Sequence, residues 1–318
     1  MQQKIRKALY FLSLDARRTT KELGQLLGVS QQSASYLCST LEKKGHIQNY
    51  HCIIDPARFG LVSVFVLYNY LRFDAKNITA IHEQFMKHPL VTHVERIAQS
   101  ADLLVRFTAP NLSSFNKHHR EILAKNKGLL SLVGQHVLIV EHLYDPAYLV
   151  PKRQRSEIIL SGDRDLVSLT PKQSQVLAEL YANPIMPLLR IAEKLSLDAK
   201  TVMHLKKQLE KQAIIRRYGV TYNYEELQIQ RVIVFIELEY DNPSEIQRFI
   251  EYAKQHKNIV SAIKLLGDFE FMIVLEQIEH ENLLYDLRKT FSVRNYQLYE
   301  SQTVLKHVSV PVALFTDL

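Results

Sequence analysis

The chain reads as one unit written twice, and that repetition constrains its fold more than any other feature. At a constant offset of 168 residues, Leu27 aligns with Leu195, Ser30 with Asp198, Leu37 with Leu205 and Leu41-Glu42-Lys43 with Leu209-Glu210-Lys211. The same offset pairs Ile47 with Ile215, Tyr50 with Tyr218, Val64 with Val232, His88 with His256, Val91 with Ile259 and Val105 with Ile273. The boundaries expected from this register are 1–50, 51–144, a connector at 145–168, then 169–218 and 219–318.

Within a unit the hydrophobic period changes once. Gln2 to Leu14 sets Ile5, Leu9 and Leu12 at helical spacing, and Thr19 with Glu22 three residues on predicts a capping box opening a short helix that ends near Gly28. Ser30 then caps a helix whose Ala34, Leu37, Cys38 and Leu41 share one face, with Gly28-Val29-Ser30 as the turn of a helix-turn-helix. In the second unit Asp198 takes the cap position and Val202, Leu205 and Leu209 the inner face.

Beyond these helices the pattern shifts to apolar strands and amphipathic stretches. Leu61–Leu71 and Arg231–Glu239 read as buried strands, and Asn77–Lys87 and Pro243–Gln255 as helices. Strands near Val91–Ile97 and Asp102–Thr108, a helix over Ser113–Lys125 and a strand over Leu132–His142 complete the order βαββαβ, a ferredoxin-like sandwich. The connector holds Pro146, Pro151 and the basic run Lys152, Arg153 and Arg155, with a short strand expected at Glu157–Leu160.

Charge is distributed unevenly. Met1–Tyr50 carries eight Lys and Arg against three Asp and Glu, and Thr170–Tyr218 nine against four, so two basic segments sit on a slightly acidic remainder. That is the electrostatic footprint of two nucleic-acid-binding modules. The outward faces of the two candidate recognition helices would present Ser30, Gln31, Gln32, Ser35, Tyr36 and Ser39 in one unit and Lys200, Met203, His204 and Lys207 in the other. Amide and hydroxyl side chains can read base edges, whereas Lys43, Lys44, Arg216 and Arg217, beyond the helices, suit phosphates. Because the two surfaces differ, an asymmetric duplex site is expected.

Two cysteines, Cys38 and Cys52, fit neither a disulfide framework nor a zinc motif. No apolar run reaches membrane-spanning length. Lys4, Arg6 and Lys7 before Ala8–Leu14 loosely imitate a signal peptide, but Asp15, Arg17 and Arg18 stand where a cleavage region would be, so a cytoplasmic protein is expected. Eight of the thirteen histidines lie between His51 and His142, yet no spacing predicts a metal site, and no phosphate-loop, dinucleotide or nucleophile-elbow pattern predicts a cofactor.

The residues at this point resemble the Lrp/AsnC family of feast/famine regulators. The resemblance is carried by Thr20-Lys21-Glu22-Leu23, Leu27-Gly28-Val29-Ser30, Leu41 to Ile47, Tyr50, Asp55-Pro56 and Phe59-Gly60, and in the second copy by Ile191 to Leu195 and Leu209 to Tyr218. It implies an α+β chain of winged-type helix-turn-helix plus ferredoxin-like sandwich, repeated twice, that binds double-stranded DNA, self-associates and responds to a small effector such as an amino acid. In the family the effector lies near a glycine-containing turn, which Gly267, Asp268, Phe269 and Glu270 resemble; the first copy has Gln99-Ser100-Ala101-Asp102 there.

A second resemblance, to siroheme decarboxylases of the same architecture, is carried by His88-Pro89-Leu90-Val91-Thr92-His93 with Arg96. The further histidine, asparagine and tryptophan typical of that segment are missing, and the chain has no Trp at all. The expectation is therefore a transcriptional regulator without enzymatic activity, with a tetrapyrrole enzyme as the alternative.

Overall fold

A computed structural model describes residues 3–150, 155–239, 244–278 and 283–315. Its architecture is mixed α+β, and the same element order runs twice. The first pass has α1 (Gln3–Leu14), α2 (Thr20–Leu27), α3 (Gln31–Lys43), β1 (Ile47–Ile54), β2 (Val62–Tyr70), α4 (Ala75–Lys87), β3 (Val91–Ala98), β4 (Leu103–Ala109), α5 (Leu112–Lys125) and β5 (Leu130–Tyr144). A short β6 (Glu157–Ser161) follows in the connector. The second pass has α6 (Pro171–Ala182), α7 (Leu188–Leu195), α8 (Ala199–Lys211), β7 (Ile215–Tyr222), β8 (Gln230–Leu238), α9 (Ser244–Gln255), β9 (Ile259–Leu266), β10 (Phe271–Gln277), α10 (Leu283–Thr290) and β11 (Val293–His307). Gln2, Pro151, Lys152, Arg153 and Pro243, included in the sequence expectations, lie outside the described residues.

Local signals act as their chemistry dictates. The Thr19 side chain accepts from Glu22 N while Glu22 reaches back to Thr19 N at 2.8 Å, and Gly28 ends α2 in the left-handed region at φ 68°. Ser30 accepts from Ser33 N at the start of α3. Asp198 departs from its expected role. It occupies the cap position of α8, but its carboxylate accepts from the Thr201 hydroxyl instead of a backbone N–H.

The strands pair antiparallel in the order β2-β4-β3-β11-β8-β10-β9-β5, and β5 pairs back onto β2, closing a ring of eight. Closure depends on the two long strands. β5 pairs with β2 of its own half and β9 of the other, and β11 with its own β8 and the first half's β3. The two sandwiches therefore join within one chain, and every strand of the ring has two strand neighbours.

Side-chain alternation gives the ring an outside and an inside. Val64, Val66 and Tyr68 of β2 and Leu103, Val105 and Phe107 of β4 face α4 and α5, and Val232, Val234 and Ile236 with Phe271 and Ile273 face α9 and α10. Phe65, Leu67, Leu104, Ile233, Phe235, Ile263, Met272 and Tyr299 fill the middle of the ring. Each such side chain contributes roughly 1.5–3 kcal/mol by leaving water.

β1 and β7 form a separate two-stranded antiparallel ribbon, one strand from each half. On it rest α1–α3 and α6–α8, which share one core including Leu9, Leu23, Leu41, Leu177, Ile191 and Leu209. Within the first helical group α2 packs at Gly24 against the turn that leads into α3, where a Cβ would lie 2.9 Å from the Val29 carbonyl oxygen. Gly24→Ala should therefore force backbone apart and cost about 1–3 kcal/mol, seen as a lowered thermal midpoint. An unchanged midpoint would refute the close approach.

Candidate functional site

Inward positions near the helical end of the ring break the apolar rule. There a cavity of about 170 Å3 is lined by His93 and Glu95 of β3, Arg106 of β4, Glu141 of β5, Arg231 of β8, Glu276 of β10 and His307 of β11. His51, Arg217 and Tyr222 of the ribbon, together with Ser13 of α1, form its roof. The alternation that sends Val105 and Phe107 outward turns Arg106 inward, and the same holds for Glu276 beside Leu275.

The charged groups are all ion-paired, three guanidinium groups against four carboxylates. Arg231 donates from Nε to Glu95 at 2.9 Å and from Nη1 to Glu276 at 2.7 Å, and Tyr148 Oη donates to the other Glu276 oxygen at 2.7 Å. Arg106 reaches Glu141 at 3.3 Å, Thr92 Oγ1 at 3.1 Å and the Val308 carbonyl at 2.9 Å. Arg217 donates to Asp145 at 2.7 Å. Buried ions survive only when paired in this way.

Through Glu95 the pairs connect to two histidines. His93 Nε2 lies 2.8 Å from Glu95, and His93 Nδ1 lies 3.1 Å from His307 Nδ1. Burial works to raise the Glu95 carboxyl, but Arg231 and the hydrogen bond from His93 outweigh it and hold it well below the usual range. An ionised Glu95 assigns the proton on His93 to Nε2, so His93 Nδ1 accepts from His307 Nδ1–H. His307 Nε2 is left with its lone pair, on a ring that lines the cavity. Burial, then the neighbouring His93, His51 and the arginines, push His307 well below the ordinary imidazole value, and burial with Arg217 brings His51 down to about 4. All three imidazoles of the cavity are thus neutral at pH 7, and Glu95–His93–His307 forms a three-member proton relay.

Arg217, expected to face phosphates, instead points inward to Asp145. The other candidate DNA-facing residues divide by exposure. Ser30, Gln31, Gln32, Ser35, Tyr36, Lys43 and Lys44 are exposed in the first half and Lys200, Met203, His204 and Lys207 in the second, while Ser39 and Arg216 are half-buried. Gly267, Asp268, Phe269 and Glu270 lie at the opposite end of the ring from the cavity. A Cβ at Gly267 would meet His136 Nδ1 at 2.6 Å, Phe269 is buried in the ring, Glu270 accepts from Leu238 N at 2.9 Å, and Asp268 is exposed. Of the residues carrying the second resemblance, His93 lines the cavity, whereas Arg96 is outside it, donating to Gln302 at 3.1 Å.

Sequence reading missed Glu95, Arg106, Glu141, Arg231, Glu276 and His307. The available signal was a charged residue at an inward register of an otherwise apolar strand, as at Arg106 within Leu103–Ala109. Among the described residues no group of three or more His, Cys, Asp or Glu side chains is placed to hold a metal ion, and no helix is long and apolar enough to cross a membrane.

No protein-family model and no curated protein matches the chain. Among solved structures, the siroheme decarboxylase NirDL is similar over 99% of this chain and 97% of its own, with a TM-score of 0.60 and 15% identity. NirDL in complex with an iron-uroporphyrin III analogue is similar over 99% and 98%, with a TM-score of 0.60 and 14% identity. An AsnC family transcriptional regulator from Agrobacterium tumefaciens covers 54% of this chain and 97% of its own, with a TM-score of 0.37 and 18% identity. The expectation of a protein without enzymatic activity is corrected by the first of these, because the fold shared from end to end is one that an enzyme uses. At such identities the likeness establishes the fold alone, a mixed α+β architecture shared with NirDL from end to end.

Proposed function

We propose that the chain is a decarboxylase of the siroheme decarboxylase architecture, which holds a carboxylic acid in the central cavity and replaces its carboxyl group with a proton. The observation that carries this reading is the Glu95–His93–His307 relay, which opens at His307 Nε2 into a cavity that Arg106 and Arg231 flank. The substrate carboxylate approaches Arg231 Nη2 and His307. Its negative charge favours the protonated imidazole, so binding draws one proton onto the relay, where ionised Glu95 balances it. The C–CO2 bond then breaks, the electron pair passes into the substrate's own π-system, and the proton on His307 is delivered to the carbon. Carbon dioxide leaves, and the relay returns to its neutral form.

His307→Ala should lower the rate of CO2 release roughly 10²–10⁴-fold, the usual worth of a positioned general acid, while Arg96→Ala leaves it unchanged. Siroheme and small aryl-acetic acids, assayed side by side by mass spectrometry, are the substrates to compare. No CO2 from any of them would sink the reading. The rate should also fall as pH rises, because His307 begins neutral and must acquire its proton in the substrate complex. A profile that climbs with pH contradicts the relay.

A second activity, duplex DNA binding, is favoured by one specific observation. The outward faces of α3 and α8 expose Gln31, Gln32, Ser35 and Tyr36, and Lys200, Met203, His204 and Lys207, against no other element. In this reading 1–50 and 169–218 are two DNA-reading heads, 51–144 and 219–318 the halves of the ring, 145–168 the connector, and the chain a tandem duplication. Lys43→Ala should reduce the slope of log affinity against log salt by about one with little change in sequence preference, and Gln31→Ala should relax that preference. Reversed effects in a binding selection would overturn these roles.

A further inference from the structure

We propose that the central cavity takes a small apolar monocarboxylic acid, one ring or short branched body bearing a single carboxylate, rather than a macrocycle bearing many. The proposal names the substrate class for the decarboxylase reading and rests on it only for the fate of the acid; the binding argument stands by itself.

Size is the first constraint. A dry cavity of about 150 Å3 admits a benzene ring, whereas sites for drug-sized ligands run to roughly 300–1,000 Å3. At about 170 Å3 the central cavity holds one ring and a short arm. An adjoining cleft of about 340 Å3 shares Tyr224, Arg231 and Val304 with it, but its rim carries the exposed acids Glu225 and Glu300, which repel a polycarboxylate.

The second constraint is that the cavity is two-faced. Where one half of the chain supplies His93, Glu95 and Arg106, the positions 168 residues later are Ser261, Ile263 and Val274. Ile233, Ile263 and Met272, with Phe65 and Leu104, line the cavity as well and belong to the packed middle of the ring, so they give the charged layer an apolar floor. A charged layer over an apolar floor suits a ligand with an acid at one end only.

Charge balance is the third constraint. Arg106 is matched by Glu141, Arg217 by Asp145, and Arg231 by both Glu95 and Glu276. No surplus of positive charge awaits a polyanion. A single carboxylate is accommodated because it brings one proton onto the histidine pair, and among the described residues Arg231 Nη2 and His307 Nε2 have no other hydrogen-bond partner. An α-ammonium group finds no unpaired carboxylate, so an amino acid of the same shape is disfavoured.

Calorimetry on the full chain with phenylacetate, L-phenylalanine and iron-uroporphyrin III tests this. Phenylacetate should bind with uptake of a proton, revealed by the dependence of the heat on buffer, and at least tenfold more tightly than L-phenylalanine. Iron-uroporphyrin III should leave its Soret band unshifted. Ile263→Trp, which fills the apolar side, should abolish phenylacetate binding while circular dichroism and DNA binding stay as in the parent. Saturable binding of iron-uroporphyrin III, tighter binding of L-phenylalanine, or no heat with phenylacetate would each overturn the proposal. Phenylacetate bound without CO2 release from any acid would retain it and refute the decarboxylase; CO2 released from siroheme alone would do the reverse.

Discussion

The backbone pairing of β5 with β9 and of β11 with β3 is the constraint on which the rest depends. Each of these long strands hydrogen-bonds to its own half on one side and to the other half on the opposite side, so two four-stranded sheets become a closed ring. Closure gives every ring strand two neighbours and encloses an interior that neither half could build alone. It also requires that interior to be filled. The middle is packed with Phe65, Phe235, Met272 and Tyr299, and the helical end with ions and imidazoles.

Filling part of a ring with charge is expensive. Glu95 is 0% exposed and Arg106 7%, and removing either partner of such a pair strands a buried ion at a cost of about 3–5 kcal/mol. A hydrophobic filling of equal volume would generally be as stable or more so, so stability does not explain these residues. Their presence is what distinguishes the two ends of the ring, and it concentrates polar chemistry beneath the β1–β7 ribbon.

The sequence exposed those parts of the fold that depend on local chemistry. The Thr19–Glu22 box, the Ser30 cap and the period-two strands each involve neighbours a few residues apart, so their spacing can be read directly. The closed ring could not be, because β5 and β11 look like ordinary edge strands until their second partners are known. The candidate site was hidden for the same reason. His93 and His307 are more than two hundred residues apart, and only ring closure brings their Nδ1 atoms to 3.1 Å. The glycine turn carries a packing constraint that the sequence does not show: a Cβ at Gly267 would meet His136 Nδ1 at 2.6 Å, and at the equivalent position of the first half Gln99 adopts φ 105° without a glycine.

The ribbon links the two proposed activities physically. His51 and Arg217 face the cavity, while Ile47, Ile54, Ile215 and Tyr218 of the same two strands belong to the core that seats both helical groups. A ligand touching the roof therefore touches an element that shares its core with both α3 and α8. Contact alone transmits nothing. Coupling exists only to the extent that the ligand binds one ribbon position more tightly than another, and it is then equal in both directions, so duplex binding would alter acid affinity by the same factor. Because the roof contributes a neutral imidazole, an already paired guanidinium and two hydroxyls, the groups that fit an acid best are Arg231, His307 and the apolar floor, all on the ring. That arrangement favours an interior whose occupancy changes little as the helical groups move, with His51, Arg217, Tyr222 and Ser13 as the side chains through which linkage passes.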